Sequence, residues 1–197
     1  IVSQHKSTGR MTTKQERRYK FIVLGAGLWG KEWMKALASD DRCEIAGVVA
    51  RSQSTLNSVS EEFSVDSKHV FTNYKEALTK VDADVALVTV PPDVHYDVLM
   101  AALHRGCHIL CEKPLTATWD EAVDVAKLAS TRPDQVFMVA QTRRWSSHIR
   151  ALAACIASGK VGTPESVRIA HRVHNRHPGW REDLQYPVLE DMAAHHF

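Results

Sequence analysis

An α/β fold built on a doubly wound parallel sheet is predicted by two patterns and one turn. Short runs that are apolar on both faces alternate with helical patterns six times between residues 21 and 140. A strand with two apolar faces needs cover on both sides, and a helix after each strand supplies it. The first run leads directly into a glycine-rich turn that opens a helix, Gly25-Ala-Gly27-Leu28-Trp29-Gly30. That placement gives weight to a pattern that is weak on its own.

The elements follow in order. Phe21-Ile-Val-Leu24 is the first strand, with an amphipathic helix over 29–39. The run 44–50 is the second strand, with a polar helix over 54–63. A short strand at 69–71 precedes a helical turn at 74–78. Residues 84–90 are nearly all apolar and end at Pro91-Pro92, and a helix over 94–104 stops at Gly106. His108-Ile-Leu-Cys111 leads into Glu112-Lys113-Pro114. Thr118 and Glu121 have capping-box spacing at the start of a helix running to about Ser130. Residues 136–140 are the sixth strand, and a helix over 147–158 ends at Gly159. After Pro164 the pattern changes. Val167, Ile169 and Val173 alternate with Arg168 and Arg172, as expected of a half-exposed, antiparallel strand.

This change divides the chain into a basic tail over 1–18, a sheet domain over 19–148, and the start of an α+β domain with a mostly antiparallel sheet over 149–197. Residues 189–197 read as a helix without a cap, so that second domain is expected to continue past Phe197. Residues 1–20 carry six basic side chains against one acid, which leaves the remainder mildly acidic and gives no reason to expect a nucleic-acid partner. The same segment has no apolar stretch for a secretory signal. Met11 reads as a start, with an organelle transit peptide as the rival. No run approaches the ~20 apolar residues of a membrane span. Cys43, Cys107, Cys111 and Cys155 form no CxxC pair and have no zinc-finger spacing. No metal is expected, and free thiols in a reducing compartment, the cytoplasm, are.

The glycine turn is a phosphate-binding candidate. Gly25 permits the tight turn, Gly27 lets the backbone approach a diphosphate, and Gly30 allows close helix–strand packing. Leu28 and Trp29 stand in the helix's first turn, whose amides and dipole favour an anion. The second strand ends Ala50-Arg51-Ser52, where a dinucleotide site selective for NAD usually carries an acid. A cation and a hydroxyl there favour a 2′-phosphate, hence NADP(H), with NAD still possible. The alternative is that Arg51 is a solvated surface cation.

Together these residues resemble the glucose-fructose oxidoreductase, inositol dehydrogenase and MocA family over about residues 19–197. The likeness is carried by Gly25–Gly30, by Val90-Pro91-Pro92-Asp-Val-His95, by Gly106-Cys-His-Ile-Leu-Cys-Glu112-Lys113-Pro114 (similar to the family's EKP element), and by Asp191-Met-Ala-Ala-His195 (similar to its DxGxHxxD element). Gln141-Thr-Arg-Arg144-Trp resembles the segment leaving the last strand. Ala193 replaces the usual glycine of the DxGxH element, and its final Asp would be residue 198. The resemblance implies a Rossmann domain followed by a large sheet domain, a polyhydroxylated substrate such as a sugar, cyclitol or trans-dihydrodiol, homodimers or homotetramers, and a cis Lys113–Pro114 bond.

The candidate chemistry follows from position. Lys113 lies at the carboxyl end of the fifth strand, where doubly wound sheets bind ligands, and its ammonium can hydrogen-bond a substrate oxygen and share in proton transfer. Glu112 either holds the cofactor or pairs with Lys113; the alternative for both is a surface ion pair. Asp191 and His195 are spaced i, i+4 and share a helix face, so Asp191 can orient the ring or bind a hydroxyl while His195 acts as general base. Pro91, Pro92 and His95 belong near the cofactor, and His95 is equally placed for a structural role. Arg144 faces substrate or phosphate, or a structural ion pair. Two functions fit: a hydride-transferring dehydrogenase or reductase, and a non-catalytic dinucleotide sensor on the same fold.

Overall fold

The computed structural model describes residues 17–170. Six strands form one parallel sheet: β1 (Tyr19–Leu24), β2 (Cys43–Val49), β3 (Val70–Phe71), β4 (Val85–Val88), β5 (His108–Cys111) and β6 (Phe137–Val139). The helices are α1 (Leu28–Ala38), α2 (Gln53–Phe63), α3 (Tyr74–Lys80), α4 (Pro92–Arg105), α5 (Trp119–Ser130) and α6 (Ser147–Ala157). The strand order is β3-β2-β1-β4-β5-β6. The chain runs outward from β1 to β3, crosses back to lay β4 against the other side of β1, and runs outward again. The reversal between β1 and β4 opens a crevice at their carboxyl ends, where such sheets bind ligands.

Continuous apolar runs are needed because successive strand residues enter different cores. Ile22 and Leu24 of β1, Ala86 and Val88 of β4, and Ile109 and Cys111 of β5 pack on one face with Ala77, Leu78, Val98, Leu99, Ala102, Leu103 and Val125. The intervening Val23, Val48 and Leu87 pack on the opposite face with Met34, Leu37, Leu56 and Val59. Helices α3, α4 and α5 thus cover one face, and α1 and α2 the other. Leu24 sits opposite Val49 on one side and Val88 on the other, which brings three strand ends level.

The helix ends follow local chemistry. Ser52 caps α2 by accepting from Thr55 N–H (3.2 Å), and Asn73 caps α3 by accepting from Lys75 N–H (2.9 Å). The Thr118–Glu121 capping box is present in both directions. Gly106 closes α4 at φ 94°, a left-handed conformation that suits glycine. Helix α4 starts two residues earlier than the expected 94, because Pro92 occupies its first turn and lacks only an N–H that would be unpaired there. Arg17 and Arg18, the last residues of the expected tail, are held by Asp84 and by the Cys43 carbonyl.

One expectation is corrected. Residues 164–170 form no ladder, and Val167 and Ile169 are exposed. Alternation marks a chain with two different sides, but a strand also needs a neighbour to bond, and none stands beside it among the described residues. Asp191 and His195 lie outside the described residues.

The burial pattern predicts an order of sensitivities. Leu24→Ala empties a fully buried position between three strands and should cost about 2–5 kcal/mol. Thr118→Ala removes one cap hydrogen bond and should cost about 1 kcal/mol. Urea unfolding of both variants checks this, and equal losses would contradict the core placement of Leu24.

Candidate functional site

Parallel strands deliver all their carboxyl ends to one edge, so the segments singled out from the sequence emerge together. These are Gly25–Gly30 after β1, Arg51-Ser52 after β2, Pro91-Pro92 after β4, Glu112–Pro114 after β5 and Arg144 in the turn after β6. A cleft of about 610 Å³ opens at the opposite edge, beside the starts of β1 and β2, lined by residues including Arg18, Lys20, Cys43, Glu44 and Asp82. Its Lys20 is paired with Asp82 at 2.7 Å. It lies far from the glycine turn in the fold and brings none of the candidate residues together.

The turn after β1 is packed backbone to backbone. Gly25 has φ +114°, and a Cβ on it would fall 2.7 Å from the Thr89 carbonyl carbon and the Val90 nitrogen. A Cβ on Gly30 would fall 2.0 Å from the Gly25 oxygen. Both glycines are therefore required by packing. Gly27 differs: nothing lies within 4 Å of its Cβ position, and its φ of −72° suits any residue. Space without packing at the N-cap of α1 is what close approach by a ligand requires. As a glycine, Gly27 offers no side chain to cap the helix, whose first amides have no intrahelical partner. Leu28 and Trp29 are exposed beside it (74% and 53%).

Thr89 was not singled out from the sequence. Its hydroxyl donates to the Gly25 carbonyl at 2.5 Å, and its amide donates to Leu24 O at 2.9 Å. It fixes the turn from the end of β4. The available signal was a hydroxyl in an otherwise apolar strand end.

At the end of β2, Arg51 is exposed and Ser52 starts α2. The Ser52 hydroxyl lies 2.8 Å from the Thr55 hydroxyl and 3.1 Å from that of Ser54. A cation and three hydroxyls thus gather at a helix N-terminus, a donor set that suits a phosphate ester.

The loop after β5 is held from three directions. The Glu112 amide donates to Val88 O at 2.8 Å. The Glu112 carboxylate accepts from the Trp33 indole N–H at 2.7 Å and from the Lys113 amide at 3.2 Å. The Lys113–Pro114 bond is cis. His95 is buried, with Nε2 2.8 Å from the Val90 oxygen and Nδ1 2.9 Å from the Pro114 oxygen and 3.2 Å from that of Leu115. Its ring therefore bridges the loops after β4 and β5. Both its ring nitrogens face backbone carbonyls. Pro91 and Pro92 lead into α4 and place that ring. Burial, and then the charge of Glu112, push the Cys111 thiol up, which disfavours its thiolate. Arg144 is exposed in the turn Thr142–Trp145, its amide bonded to Gln141 O at 3.0 Å.

All four cysteines are free. Among the described residues no group of His, Cys, Asp and Glu stands together as a metal site, and no helix is long and apolar enough to cross a membrane.

Residues 19–140 match the sequence model of the Gfo/Idh/MocA oxidoreductase family, NAD-binding Rossmann fold. The chain belongs to this family. Inositol 2-dehydrogenase of Mycolicibacterium smegmatis is 30% identical over 179 residues, covering 89% of this chain and 50% of that protein. Scyllo-inositol dehydrogenase from Lactobacillus casei, solved with NAD(H) and scyllo-inositol, superposes with a TM-score of 0.71 at 20% identity over 74% of this chain and 43% of that one. A 3-ketoreductase from Actinomadura kijaniata, solved with TDP-benzene and NADP, gives a TM-score of 0.65 at 22% identity over 73% of this chain and 43% of that one. At these identities the two structures show the shared fold. The chain spans about half the length of the curated relatives it matches.

The glycines separate fold from ligand. Gly30→Ala forces a Cβ into the Gly25 carbonyl and should destabilise by at least about 1–3 kcal/mol. Gly27→Ala meets open space and should stay within about 0.5 kcal/mol of wild type. Denaturant titration of the two variants checks the difference.

Proposed function

We propose that the chain is the cofactor-binding part of an NADP(H)-preferring dehydrogenase or reductase acting on CH–OH groups of a polyhydroxylated small molecule. The observation that carries this reading is the uncapped N-terminus of α1 behind a glycine with open space where its Cβ would be, at the edge where the Glu112-Lys113-Pro114 loop also emerges. Family membership and the names of its relatives agree with it.

The residues fit a dinucleotide. The amides of Leu28, Trp29 and Gly30 hold the diphosphate, with Trp29 and Leu28 covering it, and the loops that carry Pro91 and Glu112 flank the nicotinamide end. Arg51, Ser52 and the hydroxyls beside them take the 2′-phosphate, which favours NADP over NAD. When bound, the nicotinamide exchanges hydride with the substrate carbon. The protein's work is then with the proton. Lys113 donates a hydrogen bond to the reacting oxygen and stabilises the charge that develops there. His195 exchanges the hydroxyl proton, and Asp191, four residues before it in the sequence, orients the ring or binds a neighbouring hydroxyl. Arg144 steadies substrate or phosphate at the rim.

The substrate class rests on the relatives, which are named for inositols and for 1,5-anhydro-D-fructose. A domain beginning near residue 149 completes the substrate pocket and assembles the protein into dimers or tetramers. Four free thiols fit a cytoplasmic setting.

Two measurements test this. In full-length protein, Arg51→Asp should weaken NADPH binding at least about tenfold while sparing NADH, since a charge-assisted phosphate contact is replaced by repulsion. Gly27→Ala should weaken both dinucleotides. NADP+ reduction over a panel of inositols and aldoses, and NADPH consumption over keto-sugars and diketones, should fall at least about a hundredfold in Lys113→Ala. Tight NADPH binding without turnover, unchanged in Lys113→Ala, would replace the enzyme by a dinucleotide sensor.

A further inference from the structure

The reactive lysine and the phosphate seat belong to segments far apart in sequence, yet one side-chain bond joins them. Trp33 lies one helical turn beyond Gly30 on α1, packed against the same core as Leu110 of β5. Its indole N–H reaches across 79 residues of sequence to the Glu112 carboxylate at 2.7 Å. The other carboxylate oxygen accepts the amide of Lys113 at 3.2 Å. A half-buried indole N–H needs an acceptor, and a half-buried carboxylate needs donors. Here each serves the other, and the remaining oxygen grips the backbone of the lysine itself.

We infer that Trp33 is a positioning residue. Through Glu112 it locks the Lys113 backbone to the helix whose N-terminus seats the diphosphate, so that the amine and the cofactor keep one fixed separation. Both Glu112 oxygens are engaged by α1 and by the lysine's own amide. Glu112 therefore serves as the strut between phosphate seat and amine. The inference rests on the reading of the site as a dinucleotide-dependent oxidoreductase. Its physical content is that reaction rate depends steeply on placement while binding does not. A shift near 1 Å far from the chemistry can cost about a hundredfold in rate, and a loosened loop on an intact diphosphate seat should cost part of that.

The test compares full-length wild type, Trp33→Phe, Lys113→Ala and the double variant. NADPH affinity is followed by fluorescence, and turnover is measured on whichever inositol or aldose the wild type uses best. The ¹⁵N-labelled indole spectrum supplies a readout independent of activity. Trp33→Phe keeps an aromatic ring against the core and removes the N–H donor together with the smaller ring of the indole. NADPH affinity should change less than about twofold, and kcat should fall about tenfold with KM nearly constant. In the Lys113→Ala background the same substitution should change the residual rate less than about twofold, because the effect acts through that lysine. The Trp33 indole resonance should move in Glu112→Gln. If Trp33→Phe folds poorly, Glu112→Gln weakens the same bond from the other partner and should lower kcat with the same dependence on Lys113. An unchanged kcat in the folded variant, or an equal loss with and without Lys113, overturns the positioning role while NADPH binding still upholds the functional reading. Wild type that fails to bind either dinucleotide overturns that reading and this inference with it, even where the indole resonance reports the bond to Glu112.

Discussion

The structure depends on how closely the turn after β1 can approach the end of β4. Gly25 lies against the Thr89–Val90 backbone with no room for a Cβ, and the Thr89 hydroxyl closes the contact on the Gly25 carbonyl. Helix α1 starts immediately afterwards, held by Gly30 against that same carbonyl. The sheet order reverses between these two strands. The chain therefore leaves a crevice where its backbone is most rigidly fixed, and it aims a helix N-terminus there. A side chain at Gly25 or Gly30 would lift α1 away from β4 and misdirect its amides. The open position at Gly27 gains its meaning from the two closed ones beside it, because its own backbone conformation is ordinary.

Rigidity reaches the rest of the site through the two cores. Each of β1, β4 and β5 is clamped on both faces, so its carboxyl end moves little, and the loops that follow are tied to one another by side chains. His95 bridges the loop after β4 to that after β5, and Trp33 bridges α1 to the loop after β5. An imidazole and an indole suit these positions: each is flat, packs on apolar neighbours, and carries N–H groups that satisfy carbonyl or carboxylate oxygens. Loops held in this way keep a reactive group in place without the cost of ordering it at each turnover.

Much of this was legible in the sequence, for reasons that particular residues show. Two-faced apolar runs specify a covered sheet because Ile22 and Val23 must enter different cores. Thr118 and Glu121 announce a helix start by chemistry confined to three residues. The Gly25–Gly30 turn and the Glu112–Pro114 element were legible because each follows a strand, and parallel strands bring such segments to one edge. What could not be read was pairwise and distant. Nothing local in Trp33 points to Glu112, and nothing in Thr89 points to Gly25; those bonds exist only once β1, β4 and β5 are adjacent. The loop-bridging contacts of His95 became visible only with its burial and its three carbonyl neighbours. The run after Pro164 shows the converse. Its alternation was real in the sequence, but strand formation belongs to a pair, and a single segment cannot reveal its partner.

The division of labour among these residues has a physical logic. Holding a dinucleotide requires backbone amides and fixed charges that never change protonation, and on the proposed reading Gly27, Arg51 and the Ser52 cluster would supply these. Moving a proton requires a group that can exchange one, and such a group is best kept off the rigid diphosphate seat so that substrate shape can tune its approach. Lys113 stands at the border. Its backbone is bound to Glu112, and through Glu112 to α1. On the proposed reading, this one residue would couple the cofactor's placement to the substrate. The solved relatives share this first domain's fold at 20–22% identity, while curated relatives are named for different sugars and cyclitols. If the proposed reading holds, specificity is expected to lie in what meets the lysine from the other side of the crevice, since the turn at Gly25–Gly30 is fixed by packing.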